Sequence, residues 1–146
     1  MMSLLVRTGG LADAAVISEL LFEFNGEVLP PDLLARRMAQ VEGLETVFLG
    51  EAGGIPAGLL ILRITPTLST AEDWAEITEM CVRPAFRRRG VGRALVERAV
   101  EHARRRGCTE VHLLTGAMNV AAQSFYQAVG FRQDSWEMRL EIERRV

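Results

Sequence analysis

The chain contains no lysine, so its 17 cationic side chains other than histidine are all arginines. Arginine stays charged at any working pH and binds phosphate well, so clusters of it are candidate anion contacts. With 19 acidic residues the formal net charge is only -2. That balance gives no reason to expect general attraction to nucleic acid or to a membrane, and we expect neither among the partners.

Long apolar runs are also lacking: none approaches the ~18 residues needed to cross a bilayer. Residues 1–7 show no secretory signal, which predicts a cytoplasmic location. The chain has only two cysteines, Cys81 and Cys108, in ordinary apolar segments, which favours buried thiols over a disulfide. His102 and His112 have no partner at metal-ligand spacing, so we expect no metal.

The length of 146 residues and the 49% of hydrophobic residues fit one domain, residues 1–146, with a real core. Apolar periodicity and glycine or proline turns predict its elements. In order they are a strand at 4–7, a helix at 11–24, a helix opened by Pro30-Pro31 and ending near Gln40, hairpin strands at 46–51 and 55–64, a strand at 76–82, a helix at 91–106, a strand at 111–114, a helix at 119–129, and final strands at 131–133 and 137–142. This order predicts a mixed three-layer α/β domain.

The most informative segment is the turn between the strand that ends at Val82 and the helix that follows. Gly90 and Gly92 let the backbone pass close to a ligand, and the free N–H groups of a helix start attract an anion. A dinucleotide fingerprint would need a third glycine at position 95 and a P-loop would need Gly-Lys-Ser/Thr, and neither is present. The turn also carries arginines that can reach phosphate, namely Arg87, Arg88, Arg89 and Arg93.

This segment resembles the GNAT superfamily of N-acetyltransferases. The superfamily's signature turn is Gln/Arg-x-x-Gly-x-Gly/Ala, and Arg-Arg-Arg-Gly-Val-Gly at residues 87–92 matches it. The strand before that turn ends in an apolar-x-Val pattern in the superfamily, and Met80-Cys81-Val82 matches this pattern. A downstream Asn-x-x-Ala-x-x-Phe-Tyr and Gly-Phe pattern is also reproduced, by Asn119, Ala122, Phe125, Tyr126, Gly130 and Phe131. The match is specific from about Glu76 to Phe131, whereas the first half agrees only in its order of elements.

The resemblance implies a three-layer α/β/α fold whose mixed, mostly antiparallel sheet splays at its central strands, and acetyl-CoA as cosubstrate. It implies that backbone N–H groups from about Arg88 to Arg93, Val91 included, hold the pyrophosphate of coenzyme A. The pantetheine arm would lie along Met80, Cys81 and Val82, and the N–H of Val82 would serve as oxyanion donor. Asn119 would contact the arm or order a water, and Phe125 of the same motif belongs to the expected cofactor site.

Acetyl transfer to nitrogen needs a neutral amine, a donor for the developing oxyanion and a proton for the leaving thiolate. Tyr126 matches the tyrosine that the superfamily uses as acid, and a phenol with a pKa near ~10 keeps its proton at neutral pH. The alternative for Tyr126 is a core aromatic. Glu79 is the candidate base or amine-binding group, because a regular strand puts it on one face with Ile77 and Cys81, whose apolar character would raise its pKa. Glu76 is its rival, and either glutamate could be a solvated edge charge.

The resemblance assigns the acceptor pocket to residues 22–31 and 65–74. Acidic residues there, Glu23, Glu27, Glu72 and Asp73, favour a cationic amine. The predicted function is transfer of an acetyl group from acetyl-CoA to a primary amine, by direct attack in a ternary complex. The alternatives are a protein or peptide amine as acceptor, and a non-catalytic acyl-CoA-binding module.

Two further features are left open by the sequence. Arg83 and Arg132 are interpreted as surface arginines, although either could touch phosphate or substrate. A homodimer formed through the last strands is compatible with Trp136, Met138 and Leu140, which could equally belong to the core.

Overall fold

The computed structural model describes residues 3–144. Its elements in chain order are β1 (Leu4–Thr8), a 3₁₀ turn (Leu11–Asp13), α1 (Ala14–Asn25), α2 (Pro31–Gln40), β2 (Glu45–Ala52), β3 (Ile55–Thr65), β4 (Trp74–Val82), a second 3₁₀ turn (Pro84–Phe86), α3 (Val91–Arg105), β5 (Val111–Leu113) and α4 (Val120–Ala128). The chain divides after Leu113 into two compact units, of which the first carries all of these strands and the second carries α4. No helix in the described part of the chain is long and apolar enough to cross a bilayer.

The five strands form one sheet in the order β1-β2-β3-β4-β5. The first four strands pair antiparallel, and β5 pairs parallel with β4. The parallel pairing joins only Ala75–Ile77 to Val111–Leu113, although β4 continues to Val82. Within the described range, residues 78–82 therefore have no strand on that side. The predicted mixed, mostly antiparallel sheet is confirmed.

Helices cover both faces of this sheet. Apolar side chains of α1 and α2 pack against Leu49 of β2 and Leu59 of β3 in one buried cluster. The neighbouring Phe48 faces the opposite side, since successive residues of a strand alternate. There its ring lies edge-on to His102 of α3, 5.5 Å between centroids, and the Arg98 guanidinium lies 5.2 Å from its centre. The α/β/α layering is confirmed.

The strand β4 contains one residue more than β3 along their shared length. Glu79 pairs with Ile61 and Ile77 pairs with Leu62, so Thr78 has no partner residue and forms a β-bulge. Paired residues share a face of the sheet, and faces alternate along β3. Glu79 therefore lies with Ile61 on the face covered by α1 and α2, whereas Ile77 lies on the face covered by α3. The expectation that Ile77 and Glu79 share a face is wrong, because the bulge shifts the alternation.

The second unit differs from the sequence prediction after α4. The strands predicted at 131–133 and 137–142 are wrong, since residues 131–144 contain no strand in the structure. The alternating apolar positions have strand periodicity but are at least 87% exposed: Trp136, Met138, Leu140 and Ile142. Such periodicity gives a strand only where a neighbouring strand supplies hydrogen bonds, and no described residue pairs with this segment.

Gly58 permits a close contact between β3 and the end of β4. A methyl group added at Gly58 would lie 2.3 Å from the carbonyl oxygen of Cys81 and 3.1 Å from Cα of Val82. Both neighbours are backbone atoms, so relief requires the two strands to move apart. The residue that follows Val82 begins the turn into α3, so this contact bears directly on how that turn is placed.

We expect Gly58→Ala to lower the free energy of unfolding by about 1–3 kcal/mol, the usual cost of overpacking. Urea denaturation measures the change. The matched control is Gly10→Ala, because Gly10 has extended backbone and a methyl group added there meets no atom within 4 Å. Equal losses in the two variants would contradict the steric explanation.

Candidate active site

The carboxyl half of β4 has an edge that faces away from β3. The N–H of Arg83 donates to the carbonyl of Ala57 at 2.8 Å. In an antiparallel pair the backbone groups of successive residues point alternately to the two edges. The groups of Cys81 therefore also point to β3, and those of Met80 and Val82 point to the edge that β5 does not reach. An extended ligand could pair with β4 there.

The turn after β4 directs backbone N–H groups outward at the start of α3. Gly90 has φ 86° and Arg88 has φ 61°, so two residues of the turn are left-handed. The first helical hydrogen bond of α3 runs from the N–H of Ala94 to the carbonyl of Gly90, 3.0 Å. The N–H groups of residues 91–93 come before this bond, so they have no carbonyl partner within α3. Such N–H groups form an anion site, which the helix dipole strengthens.

Arginine side chains add full positive charge to this turn. Those predicted to meet phosphate are all exposed: Arg87, Arg88, Arg89 and Arg93. Nε of Arg87 donates to the carbonyl oxygen of Val82 at 3.2 Å, which places one guanidinium at the end of the open edge. The backbone N–H groups and the arginine charges thus both attract an anion, and the turn fits a pyrophosphate.

Two carboxylates of β4 lie on the face covered by α1 and α2. Glu79 is there with Ile61, and Glu76 is there because it pairs with Arg63, two residues along β3 from Ile61. A spacing of three would put two residues of a regular strand on opposite faces. The bulge at Thr78 brings these two carboxylates to the same face.

An aromatic pair continues this row toward the start of β4. Trp74 pairs with Thr65 of β3, and His112 pairs with Glu76, so both rings share the face of the carboxylates. The rings of Trp74 and His112 stack with centroids 3.7 Å apart and planes 7° apart. Trp74 remains 41% exposed. No local sequence pattern links Trp74 with His112, so the sequence did not predict this pair.

The environment of Glu79 favours its neutral form. Burial raises the pKa of the Glu79 carboxyl above its usual range, and the negative charge of Glu27 raises it further. A half-buried carboxyl with a raised pKa can exchange a proton nearer to neutral pH than an ordinary glutamate. This property suits a base.

Both cysteines are free and buried, as predicted. Burial raises the pKa of the Cys81 thiol to about 11, so it stays protonated at neutral pH. Its sulfur lies 3.9 Å from the carbonyl oxygen of Leu20 in α1. Burial also raises the pKa of Cys108. The backbone groups of Cys81 point to β3, and neither thiol is poised as a nucleophile.

One acidic residue predicted for the acceptor side is already paired. Oε2 of Glu23 accepts a hydrogen bond from Nε of Arg83 at 2.8 Å. Glu27 carries no such ion pair among the described residues, and its charge acts on Glu79. Glu27 is therefore the better candidate for attracting a cation.

The second unit holds the remaining candidates. Oδ1 of Asn119 accepts the N–H of Ala122 at 3.1 Å and caps α4. Tyr126, the only tyrosine of the chain, is half-buried. Its ring lies edge-on to Phe125 at 5.4 Å and to Phe131 at 5.7 Å between centroids. The three aromatic rings of this motif thus form one local cluster.

The model of the Acetyltransferase (GNAT) family matches residues 14–131. The chain belongs to this family. The match covers α1 to α4 and includes the GNAT turn before α3, so the predicted resemblance is confirmed.

Individual relatives of this GNAT protein match over shorter stretches. An uncharacterized N-acetyltransferase of Methanocaldococcus jannaschii is 39% identical over 88 residues, 59% of this chain and 38% of that protein. The [ribosomal protein bS18]-alanine N-acetyltransferase of Escherichia coli K12 is 34% identical over 61 residues, 42% of this chain and 41% of that protein. The matched segments therefore span less than half of each of these relatives.

A solved structure extends the comparison across the fold. An aminoglycoside N-acetyltransferase in complex with CoA superposes with a TM-score of 0.85, over 97% of this chain and 96% of that one. The two sequences are 18% identical, so the likeness concerns the fold. The GNAT fold predicted from the turn and its flanking patterns is confirmed.

Proposed function

We propose that this chain transfers an acetyl group from acetyl-CoA to a primary amine, by direct attack in a ternary complex, with a small cationic amine preferred. The observation that carries the proposal is the junction of the open edge of β4 with the turn before α3. The edge suits an extended arm and the turn suits its pyrophosphate, within a few residues of Glu79. Membership of the GNAT family and the fold shared with a CoA-bound acetyltransferase support the proposal.

The residues that would hold the cosubstrate divide into backbone and side-chain groups. Backbone groups of Met80 and Val82 would pair with the pantetheine arm, while N–H groups from about Arg88 to Arg93 would bind the pyrophosphate. The exposed guanidinium groups of the turn would add charge contacts. When bound, acetyl-CoA supplies the acetyl group as an activated thioester. Asn119 and Phe125 remain proposed contacts on the strength of their motif.

Glu79 would serve as the base that takes a proton from the acceptor amine. An amine must lose its proton before it acts as a nucleophile, and a carboxyl with a raised pKa is a better proton acceptor. The Val82 N–H points to the open edge and would donate to the developing negative charge. Tyr126 remains the proposed acid, on the basis of its place in the motif.

The face of β4 next to Glu79 supports a cationic acceptor. Glu76 and the exposed part of Trp74 continue the row of Glu79, and Glu27 adds negative charge. Carboxylates attract a cation, and an indole face adds a cation–π contact. A second candidate acceptor is a protein amine, which the similarity to a ribosomal-protein alanine acetyltransferase favours.

Thioester consumption tests the proposal directly. The folded chain is mixed with acetyl-CoA and a panel that holds polyamines, aminoglycosides, neutral amines and peptides with free amino termini. Mass spectrometry identifies acetylated products. Turnover of cationic small amines supports the preferred acceptor, and turnover of peptides alone supports the second candidate. Tight CoA binding without any product would instead indicate a binding module.

Gly90→Ala is expected to weaken CoA binding at least about tenfold, since an alanine disfavours the left-handed turn that orients the N–H groups. Gly107→Ala is the matched control, because Gly107 has φ 83° at the other end of α3. Both variants should lose about 1–2 kcal/mol of stability from backbone strain. Calorimetric titration with CoA measures affinity. Equal affinity losses in both variants would show that the turn has no special role.

Glu79→Gln is expected to lower kcat by about 10²–10⁴-fold, the usual contribution of a general base. In the native chain the acidic limb of the pH-rate profile should lie above the ordinary carboxyl range, since burial and Glu27 raise the pKa of Glu79. Glu27→Gln removes one of these causes, so the limb should move to lower pH. Glu97→Gln, an exposed change on α3, is the control. A limb that persists in Glu79→Gln excludes Glu79 as the base.

Tyr126→Phe is expected to lower kcat by about 10²-fold while the dissociation constant for CoA stays unchanged, since the variant keeps the ring and lacks the hydroxyl group that would supply the proton. Steady-state kinetics and CoA titration measure the two quantities, and the melting temperature serves as the folding control. Full turnover in the variant would remove Tyr126 from the mechanism.

A further inference from the structure

Arg83 stands between β4 and the turn and is engaged on every nitrogen of its guanidinium group. Nε donates to Oε2 of Glu23 at 2.8 Å, and Nη2 donates to Oε1 of Glu19 at 2.9 Å. Nη1 donates to the carbonyl oxygen of Pro56 at 2.9 Å. The side chain is only 19% exposed. Arg83, interpreted from the sequence as a surface arginine, is instead mostly buried and paired with two carboxylates.

These partners belong to two different elements. Glu19 and Glu23 are one helical turn apart on α1, so their carboxylates lie side by side. Pro56 lies in β3, where the neighbouring Ala57 also accepts the backbone N–H of Arg83 at 2.8 Å. One residue thus joins the end of β4 to α1 and to β3. A planar fork can make these bonds together, whereas the single ammonium of a lysine cannot reproduce them.

The position of Arg83 in the chain gives these bonds a consequence for the site. The residue follows Val82, whose backbone faces the open edge, and precedes the 3₁₀ turn that begins at Pro84. A displacement of Arg83 would move both the edge and the start of the anion-binding turn. We propose that Arg83 is a positioning residue that holds the cosubstrate site in place without touching the cosubstrate. This inference rests on the proposed binding of CoA at that turn.

The ion pairs themselves fit a positioning role better than a large contribution to folding. The carboxylates of Glu19 and Glu23 are 62% and 45% exposed, and exposed pairs contribute little to stability. Three of the five N–H donors of the Arg83 guanidinium are used in this arrangement, one on each nitrogen, and its charge is balanced by two carboxylates. Direct phosphate binding and positioning therefore predict different results when the carboxylates are removed.

The test compares Arg83→Gln, Arg83→Lys, the double variant Glu19→Gln/Glu23→Gln, and the triple variant that combines this double with Arg83→Gln. CoA affinity is measured by calorimetry, and KM for acetyl-CoA and kcat with a saturating amine are measured separately. We expect Arg83→Gln to raise the CoA dissociation constant and KM between about tenfold and a hundredfold, within the range of coupling between residues of one hydrogen-bonded network. The change in kcat should be smaller. Arg83→Lys should recover only part of the loss.

The double carboxylate variant gives the decisive comparison. It should reproduce most of the loss of CoA affinity seen in Arg83→Gln. The triple variant should bind CoA no more weakly, because the effects of substitutions within one network are not additive. If Arg83 bound phosphate directly, removing Glu19 and Glu23 would leave CoA binding unchanged or tighter, and that result would overturn the inference. Because the double variant keeps Arg83, it also tests the inference if Arg83→Gln fails to fold.

The matched control is Arg105→Gln, which removes an arginine paired with Glu101 on the exposed surface of α3. Its melting temperature, CoA affinity and kcat should all match those of the native chain. If the native chain binds CoA and Arg83→Gln binds it with the same affinity, the positioning role alone is refuted. If the native chain does not bind CoA, the proposed function is refuted, and the positioning role with it.

Discussion

The extra residue at Thr78 constrains both the side chains and the backbone of the site. Before it, Ile77 faces α3; after it, Glu79 faces α1 and α2, so the strand presents two carboxylates on one side. The regular register that resumes afterwards points the backbone of Met80 and Val82 to the open edge. A strand without the bulge would place either Glu76 or Glu79 in the α3 core. The acidic face and the direction of the backbone groups at the open edge therefore depend on one local irregularity.

Charge is distributed unevenly along β4. Its carboxyl end leads into exposed arginines and into the N–H groups that precede the helical bonds of α3, which attract anions. Its other half carries Glu76 and Glu79, and the charge of Glu27 acts on Glu79. An anionic cosubstrate and a cationic acceptor would be drawn to opposite halves of the same strand. Arg83 follows the carboxyl end of β4, where its charge is balanced by Glu19 and Glu23. This pairing would weaken the effect of its positive charge on either ligand.

Local patterns were sufficient to predict most of this fold and the glycine-containing turn before α3. The helix face of α3 and the glycines before it depend on residues close in sequence, and the family match bears out that segment. The bulge at Thr78 could not be predicted, because a register is decided by pairing with β3 and not by the spacing of β4 alone. The partners of Arg83 lie 60 and 64 residues away and leave no local signal. The apolar alternation after residue 135 predicted a strand, yet a strand also requires a neighbour to pair with.

The left-handed backbone of Arg88 carries a consequence for evolution of the turn. Its φ of 61° is one that glycine adopts freely, and a side chain there costs roughly 1–2 kcal/mol. A glycine at this position would make a more stable protein with one guanidinium fewer beside the start of α3. The chain thus retains a charged group where conformational preference alone would select its removal. At this position stability would favour glycine, whereas the proposed anion binding would favour arginine.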